Sequence, residues 1–180
     1  MTIVLIVHTK PVEDPITIEE AMEFLRIDSD VESNLLGTLI KAATRHAEEF
    51  MRRSIVERTY ELVLDTPAME IYLPRPPLLV LSSITTYDET GLAVVVPLTD
   101  VMVTSGDRPK LTFLTLPTTR SVNGIVIEYT AGYGGAEDVP EEIKLGIKYI
   151  VGEFFENRGR ETAMPNMARM ALQPFRMMKL

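Results

Sequence analysis

The sequence predicts an α+β protein: N-terminal and C-terminal helices form a helical layer, with a small antiparallel β subdomain inserted between them. Three observations carry this. A long apolar stripe of helical period ends near residue 53. Short alternating runs separated by turn chemistry fill 57–131. Helical period then returns after residue 139. The 180 residues suffice for one core with a subdomain attached, and a hydrophobic fraction of 46% provides the side chains to fill it.

The first element is an N-terminal arm, residues 1–16. Its apolar run Ile3-Val4-Leu5-Ile6-Val7 is an added strand or a flexible arm; it is too short to span a bilayer and lacks the flanks of a signal peptide. Pro11, Glu13, Asp14 and Pro15 then read as a linker. Thr17 stands three residues before Glu20, the spacing of a capping box, which predicts a helix from about Ile18 to Arg26 with Ala21, Met22 and Leu25 inward. Ser29 and Glu32 repeat that spacing ahead of a long helix from about Asp30 to Arg53. Its stripe is Val31, Leu35, Leu36, Leu39, Ala43, Ala47, Phe50 and Met51, and Leu35, Leu39 and Phe50 are expected to be buried against the C-terminal helix.

Beyond Ser54 the period changes to two. Tyr60, Leu62 and Leu64 alternate with polar residues, and further strands are expected at 69–73, 82–87, 93–98, 110–114 and 125–130. Asp88-Glu89-Thr90-Gly91, Ser105-Gly106-Asp107 and Asn123-Gly124 separate them, and Asn-Gly is the strongest short-range hairpin signal among these. Asp138 then caps a helix over 139–158, with Pro140 early, Glu141 and Glu142 at its positive end, and Ile143, Ile147, Ile150, Val151 and Phe154 as its stripe. Gly159 is the expected stop. The organisation is an arm (1–16), a main domain (17–160: helices 17–53, β subdomain 57–131, helix 139–158) and a Met-rich C-terminal tail (161–180).

Chemistry is sought next. With no cysteine there is no disulfide, thiolate nucleophile or cysteine zinc site. His8 and His46 lie far apart without metal-ligand spacing, and neither stands near a serine elbow, so no catalytic triad and no metal site is predicted. Asp28 and Asp30 read as helix-start residues, because the glycine and late glutamate of a calcium loop are missing. Gly132-Tyr133-Gly134-Gly135 sits where phosphate cradles occur. No Lys-Ser/Thr follows it, however, and Glu137, Asp138, Glu141 and Glu142 would repel an anion, so it reads as a backbone turn. The net charge of −8 disfavours nucleic acid, and Arg45, Arg52, Arg53 and Arg58 are interleaved with Glu48, Glu49 and Glu57. Leu73-Pro74-Arg75-Pro76-Pro77-Leu78 has a PxxP spacing, read as ordered strand-linking proline rather than a ligand for an SH3-type groove. Met164, Met167, Met170, Phe175 and Arg176 in the tail are the candidate assembly interface, since methionine gives an adaptable apolar contact surface; packing onto the chain's own core is the competing reading.

Several segments, in order, resemble the small head–tail connector (adaptor) proteins of tailed phages and prophages. They are Ile18-Glu19-Glu20-Ala21 leading to Phe24-Leu25-Arg26-Ile27-Asp28, the helix end Glu49-Phe50-Met51-Arg52-Arg53, and Leu73 to Leu78 with Ile84-Thr85-Thr86-Tyr87. Tyr129-Thr130-Ala131-Gly132-Tyr133-Gly134 and Val139-Pro140-Glu141-Glu142-Ile143 running to Phe155-Glu156-Asn157-Arg158 complete the set. The resemblance implies a ring of about a dozen subunits beneath a portal protein, with tail or stopper proteins on the other side and DNA passing through without specific binding. It implies no catalysis, no cofactor and no membrane, with the protein made in the bacterial cytoplasm and placed at the virion head–tail junction. The apolar start and the methionine-heavy end depart from the family pattern. Two other classes stand beside this reading: a cytoplasmic peptide-binding adaptor or regulatory module, and a carboxylate-dependent hydrolase.

Overall fold

The computed structural model describes residues 3–9, 11, 13–28, 32–157 and 163–177. The chain forms two compact units, a β unit made of Met1–Pro11 with Glu57–Tyr133 and a helical unit made of Val12–Val56 with Gly134–Leu180. The α+β class expected from sequence is therefore the class observed.

Among the described residues the β unit contains eight strands: β1 (Ile3–Val7), β2 (Arg58–Leu64), β3 (Glu70–Tyr72), β4 (Leu78–Tyr87), β5 (Ala93–Val95), β6 (Val101–Thr104), β7 (Lys110–Phe113) and β8 (Ile125–Ala131). They make two antiparallel sheets, β1-β2-β8-β4-β5 and β3-β7-β6. Strict alternation sets the inner face: Tyr60, Leu62 and Leu64 on β2 and Ile125, Ile127, Tyr129 and Ala131 on β8 are buried, as are Leu111 and Phe113 on β7. These side chains from both sheets share one core, and the rings of Tyr60 and Tyr129 stack 5.6 Å apart.

The arm is not a separate piece. Its apolar run becomes edge strand β1, paired with β2 from Ile3↔Leu64 to Val7↔Tyr60. Asn123-Gly124 is likewise not a hairpin turn, because β7 and β8 lie in different sheets. Gly124 instead feeds β8 between two neighbours: its N–H donates to the Asp65 carbonyl (2.9 Å) and its carbonyl accepts from Tyr87 N–H (2.9 Å). A Cβ there would collide with the Arg120 carbonyl and come within 2.6 Å of that of Asp65, so this close approach requires glycine. Strand β6 was not expected. Val101-Met102-Val103-Thr104 shows no alternation, and three of its four residues are exposed. The run expected over 93–98 is strand only to Val95, since Pro97 opens a 3-10 turn, Leu98–Asp100.

The helical unit holds α1 (Ile18–Leu25), α2 (Ser33–Met51), α3 (Glu141–Glu156) and α4 (Asn166–Leu172). The Thr17–Glu20 capping box forms as expected: Thr17 Oγ1 accepts from Glu20 N–H (3.1 Å) and Glu20 Oε2 accepts from Thr17 N–H (2.8 Å). Burial opposes ionisation of Glu20, but the Thr17 amide together with Lys148 and Lys144 outweighs it and holds the carboxyl below its usual range. Lys148 Nζ, on α3, lies 3.2 Å from Glu20 and ties the two helices together. The expected Ser29–Glu32 box involves a residue outside the described set, as do Asp30, Val31 and the stop at Gly159. Asp138 does not cap α3. Its carboxylate accepts from Gly135 N–H (3.2 Å) in the preceding 3-10 turn, and Pro140 holds the N-cap position.

The buried line of α2 is rotated from the one expected. Leu36, Ile40, Ala43, Ala47 and Met51 are buried, whereas Leu35, Leu39 and Phe50 are half-buried flanks. An apolar stripe wider than the contact line leaves its exact centre open, and one residue of shift turns a helix by about 100°. Ile40→Ala is therefore expected to cost about 2–5 kcal/mol, more than Leu39→Ala. Chemical denaturation of the two variants checks this ordering, and equal midpoints would contradict it.

Candidate assembly surfaces

The β unit exposes much apolar surface, part of it along its free edges and part on loops and on β4 at Leu79 and Val80. At one end of the five-stranded sheet, β5 presents Ala93, Val94 and Val95 all outward, with Val95 68% exposed. On the other end β1 exposes Val4, Ile6 and Val7. Neither strand has a second partner among the described residues, so each offers unpaired backbone groups beside apolar side chains. Near β5 a groove of about 330 Å³ has Val94, Val95, Pro97, Thr115, Pro117 and Thr118 in its lining. Edge strand β6 adds Met102 and Val103, and β3 adds Tyr72. Isolated exposed apolar residues are ordinary; edges lined with them are interaction sites or aggregation liabilities.

Among the described residues the helical unit exposes fewer large apolar side chains: Phe24, Leu145, Met167 and Met170. The tail residues singled out from sequence divide here. Met164 is only 9% exposed and turns inward with Ala168 and Leu172, so it is a core residue and not a free contact. Phe175 is half-buried, and its carbonyl accepts from the Arg53 guanidinium. Arg176 lies over the Phe50 ring (5.0 Å), and Met177 N–H donates to the Met51 carbonyl (2.9 Å). Of the five, Met167 and Met170 are exposed, at 52% and 70%, as is Arg176. Residues 163–177 thus belong to the helical unit's own packing, against the expectation of a tail apart from the core. Gly146 on α3 permits this, since a Cβ there would meet the Leu172 side chain at 2.7 Å.

Other motifs take structural roles. The Leu73–Leu78 segment is folded in: Tyr129 Oη donates to the Pro74 carbonyl (2.8 Å) and Gly132 N–H to that of Pro77 (2.9 Å). Burial, with the Tyr60 ring beside it and Arg75 opposing, pushes the Tyr129 phenol well above its ordinary range. Among the glycines of the 132–135 turn, Gly134 has φ +125° and packs against Asp138. Of the arginines, Arg45 pairs with Glu49 (3.3 Å) and Arg53 is buried. Glu48 is buried and accepts from Ile55 N–H (2.9 Å), which fixes the chain beyond α2. His46 stacks on Phe154. No helix among the described residues is long and apolar enough to cross a membrane.

A family model described as HCP, head completion protein, matches residues 15–178. The chain belongs to the head completion protein family. It is a structural subunit of the head–tail connector class, as the resemblance read from its sequence implied. The match includes most of the methionine-rich end and begins after the apolar run of β1. No curated protein sequence matches the chain. Solved structures share its fold, among them three from gene transfer agent particles. A chain from the neck of an empty gene transfer agent particle, computed with C6 symmetry, aligns with TM-score 0.85 and 20% identity over 98% of this chain and 97% of that one. A chain from the virion of the native gene transfer agent particle aligns with TM-score 0.82 and 19% identity, covering 98% and 96%. One from the neck of the native particle, computed with C12 symmetry, aligns with TM-score 0.82 and 18% identity, covering 98% and 97%.

The division of the tail residues has a direct consequence. Leu172→Ala is expected to lower the stability of the protein by about 2–5 kcal/mol. Met170→Ala should stay within about 0.5 kcal/mol of the parent. Equal effects of the two substitutions in thermal denaturation would contradict the packing of α4.

Proposed function

We propose that this chain forms a closed ring of about a dozen copies at the virion head–tail junction, between a portal protein and tail or stopper proteins, with DNA passing through its centre. The observation that carries the reading is the pair of free apolar edges, β1 and β5, at opposite ends of one sheet. A ring needs two different surfaces that meet head to tail and close, and two unlike strand edges on one subunit meet that need. The fold-level likeness to chains from necks computed with C6 and C12 symmetry supports both the ring and its location. The outward face of α4, Met167 and Met170 with the nearby Arg176, is a second contact surface for the portal or tail proteins.

The role requires no catalysis. A net charge of −8 suits a conduit, because DNA held by counterion release would not slide freely through it. The PxxP segment is engaged in the chain's own hydrogen bonding, which speaks against its use as a peptide ligand.

Sedimentation and native mass measurement of the full chain, alone and with portal, test the proposal. A discrete ring mass is expected, and the exposed-site variants Val95→Lys and Ile6→Lys should each abolish it while leaving the circular dichroism unchanged. A chain that stays monomeric even with portal, or variants that assemble like the parent, would overturn it.

A further inference from the structure

We propose that His8, Glu61 and Glu128 form a binding site for a divalent transition metal of the zinc class on the outer face of the five-stranded sheet. One ligand atom from each of the three lies within 4.8 Å of the others, and His8 Nε2 is already 2.8 Å from Glu61 Oε2. The sequence-based expectation of no metal site rested on the spacing of the histidines. Strand pairing removes that objection, since it joins positions 53 residues apart.

The register explains why these groups converge. Glu61 on β2 stands directly opposite Glu128 on the central strand β8, with both side chains on the face away from the core. Two like charges placed directly across a pair of strands disfavour the pairing, and both carboxylates are half-buried, where water screens them less. A bound cation would convert this repulsion into attraction. His8 follows β1, two residues beyond Ile6, which pairs with Glu61, so its ring comes to the same face. Its backbone is anchored: His8 N–H donates to the Thr59 carbonyl (3.0 Å) and Thr59 N–H donates to Thr9 Oγ1 (3.0 Å).

The donor set suits zinc. Imidazole nitrogen and carboxylate oxygen are both zinc ligands, open zinc sites carry three protein ligands with water in the fourth position, and tetrahedral bonds of about 2.0–2.2 Å put ligand atoms roughly 3.3 Å apart. The His8–Glu61 pair would open slightly and Glu128 would close, both by side-chain rotation. On the neighbouring strand β4, Ser83 Oγ donates to Glu128 Oε2 (2.9 Å), the kind of second contact that orients a ligand carboxylate. His8 is exposed at the rim, which leaves a path for entry and for the water ligand. Mg²⁺ and Ca²⁺ prefer all-oxygen shells and fit this set less well. A metal here would staple edge strand β1 to the middle of the sheet.

The test is calorimetric titration of zinc chloride into the full chain after chelator treatment and dialysis, paralleled by thermal unfolding with and without zinc. One saturable site per chain is expected, with a zinc-dependent rise in melting temperature. His8→Ala and Glu128→Gln should each abolish both effects, and Ser83→Ala should weaken affinity about tenfold or more. All three positions lie on the outer face, and melting without zinc reports whether each variant folds. Absence of saturable binding by the parent, or binding that survives both His8→Ala and Glu128→Gln in folded protein, would overturn the assignment.

Discussion

The β unit depends on the two-sided pairing of β8. This strand is hydrogen-bonded to β2 along its whole length on one edge and to β4 on the other, although it follows the entire second sheet in the chain. Its alternation admits one register only, because a slip of one residue would send Ile125, Ile127 and Tyr129 outward and bring Val126, Glu128 and Thr130 into the core. The glycine at its entry, the buried phenol that holds the proline segment and the position of Glu128 opposite Glu61 all follow from that register. Loss of alignment at β8 would therefore remove the core and the outer-face cluster together.

In the helical unit α3 has the corresponding place. It packs against α1, α2 and α4, and a glycine at position 146 lets α4 come close enough for Leu172 to be fully buried. Packing of this kind leaves little apolar surface over. The β unit is different: its two sheets share one core, yet their edge strands keep valines, an isoleucine and a methionine in water. A stable isolated monomer gains nothing from such edges, whereas a subunit whose neighbours cover them does. We therefore propose that the assembly contacts lie in the edges of the β unit more than in the methionine-rich end.

Local signals made much of the fold legible. The Thr17–Glu20 box marks the start of α1 to the residue, because capping involves only four neighbouring positions. Alternation marked β2 and β8. What stayed hidden depends on distant partners. The apolar run Val101–Val103 carries no period and becomes a strand only because β7 pairs with it. Asn123-Gly124 reports positive φ or close approach, and its chemistry does not say which strands it joins. The centre of the α2 stripe depends on where its neighbouring helices lie. Met164 and Met170 have the same side chain six residues apart, and only the docking of α4 decides that one is core and the other surface. The His8, Glu61 and Glu128 grouping is of the same kind, since three strands far apart in the chain assemble it.

In the proposed ring, neighbouring copies cover the β-unit edges. Amide hydrogen exchange, followed by mass spectrometry on the dilute chain and on the assembled ring, reads those edges directly. The account predicts that exchange slows on assembly in Ile3–Val7 and Ala93–Val95, while Asn166–Leu172 is unaffected until portal or tail proteins are added. Slowing confined to Asn166–Leu172 on ring formation, with both strand edges exchanging as in the free chain, would contradict it.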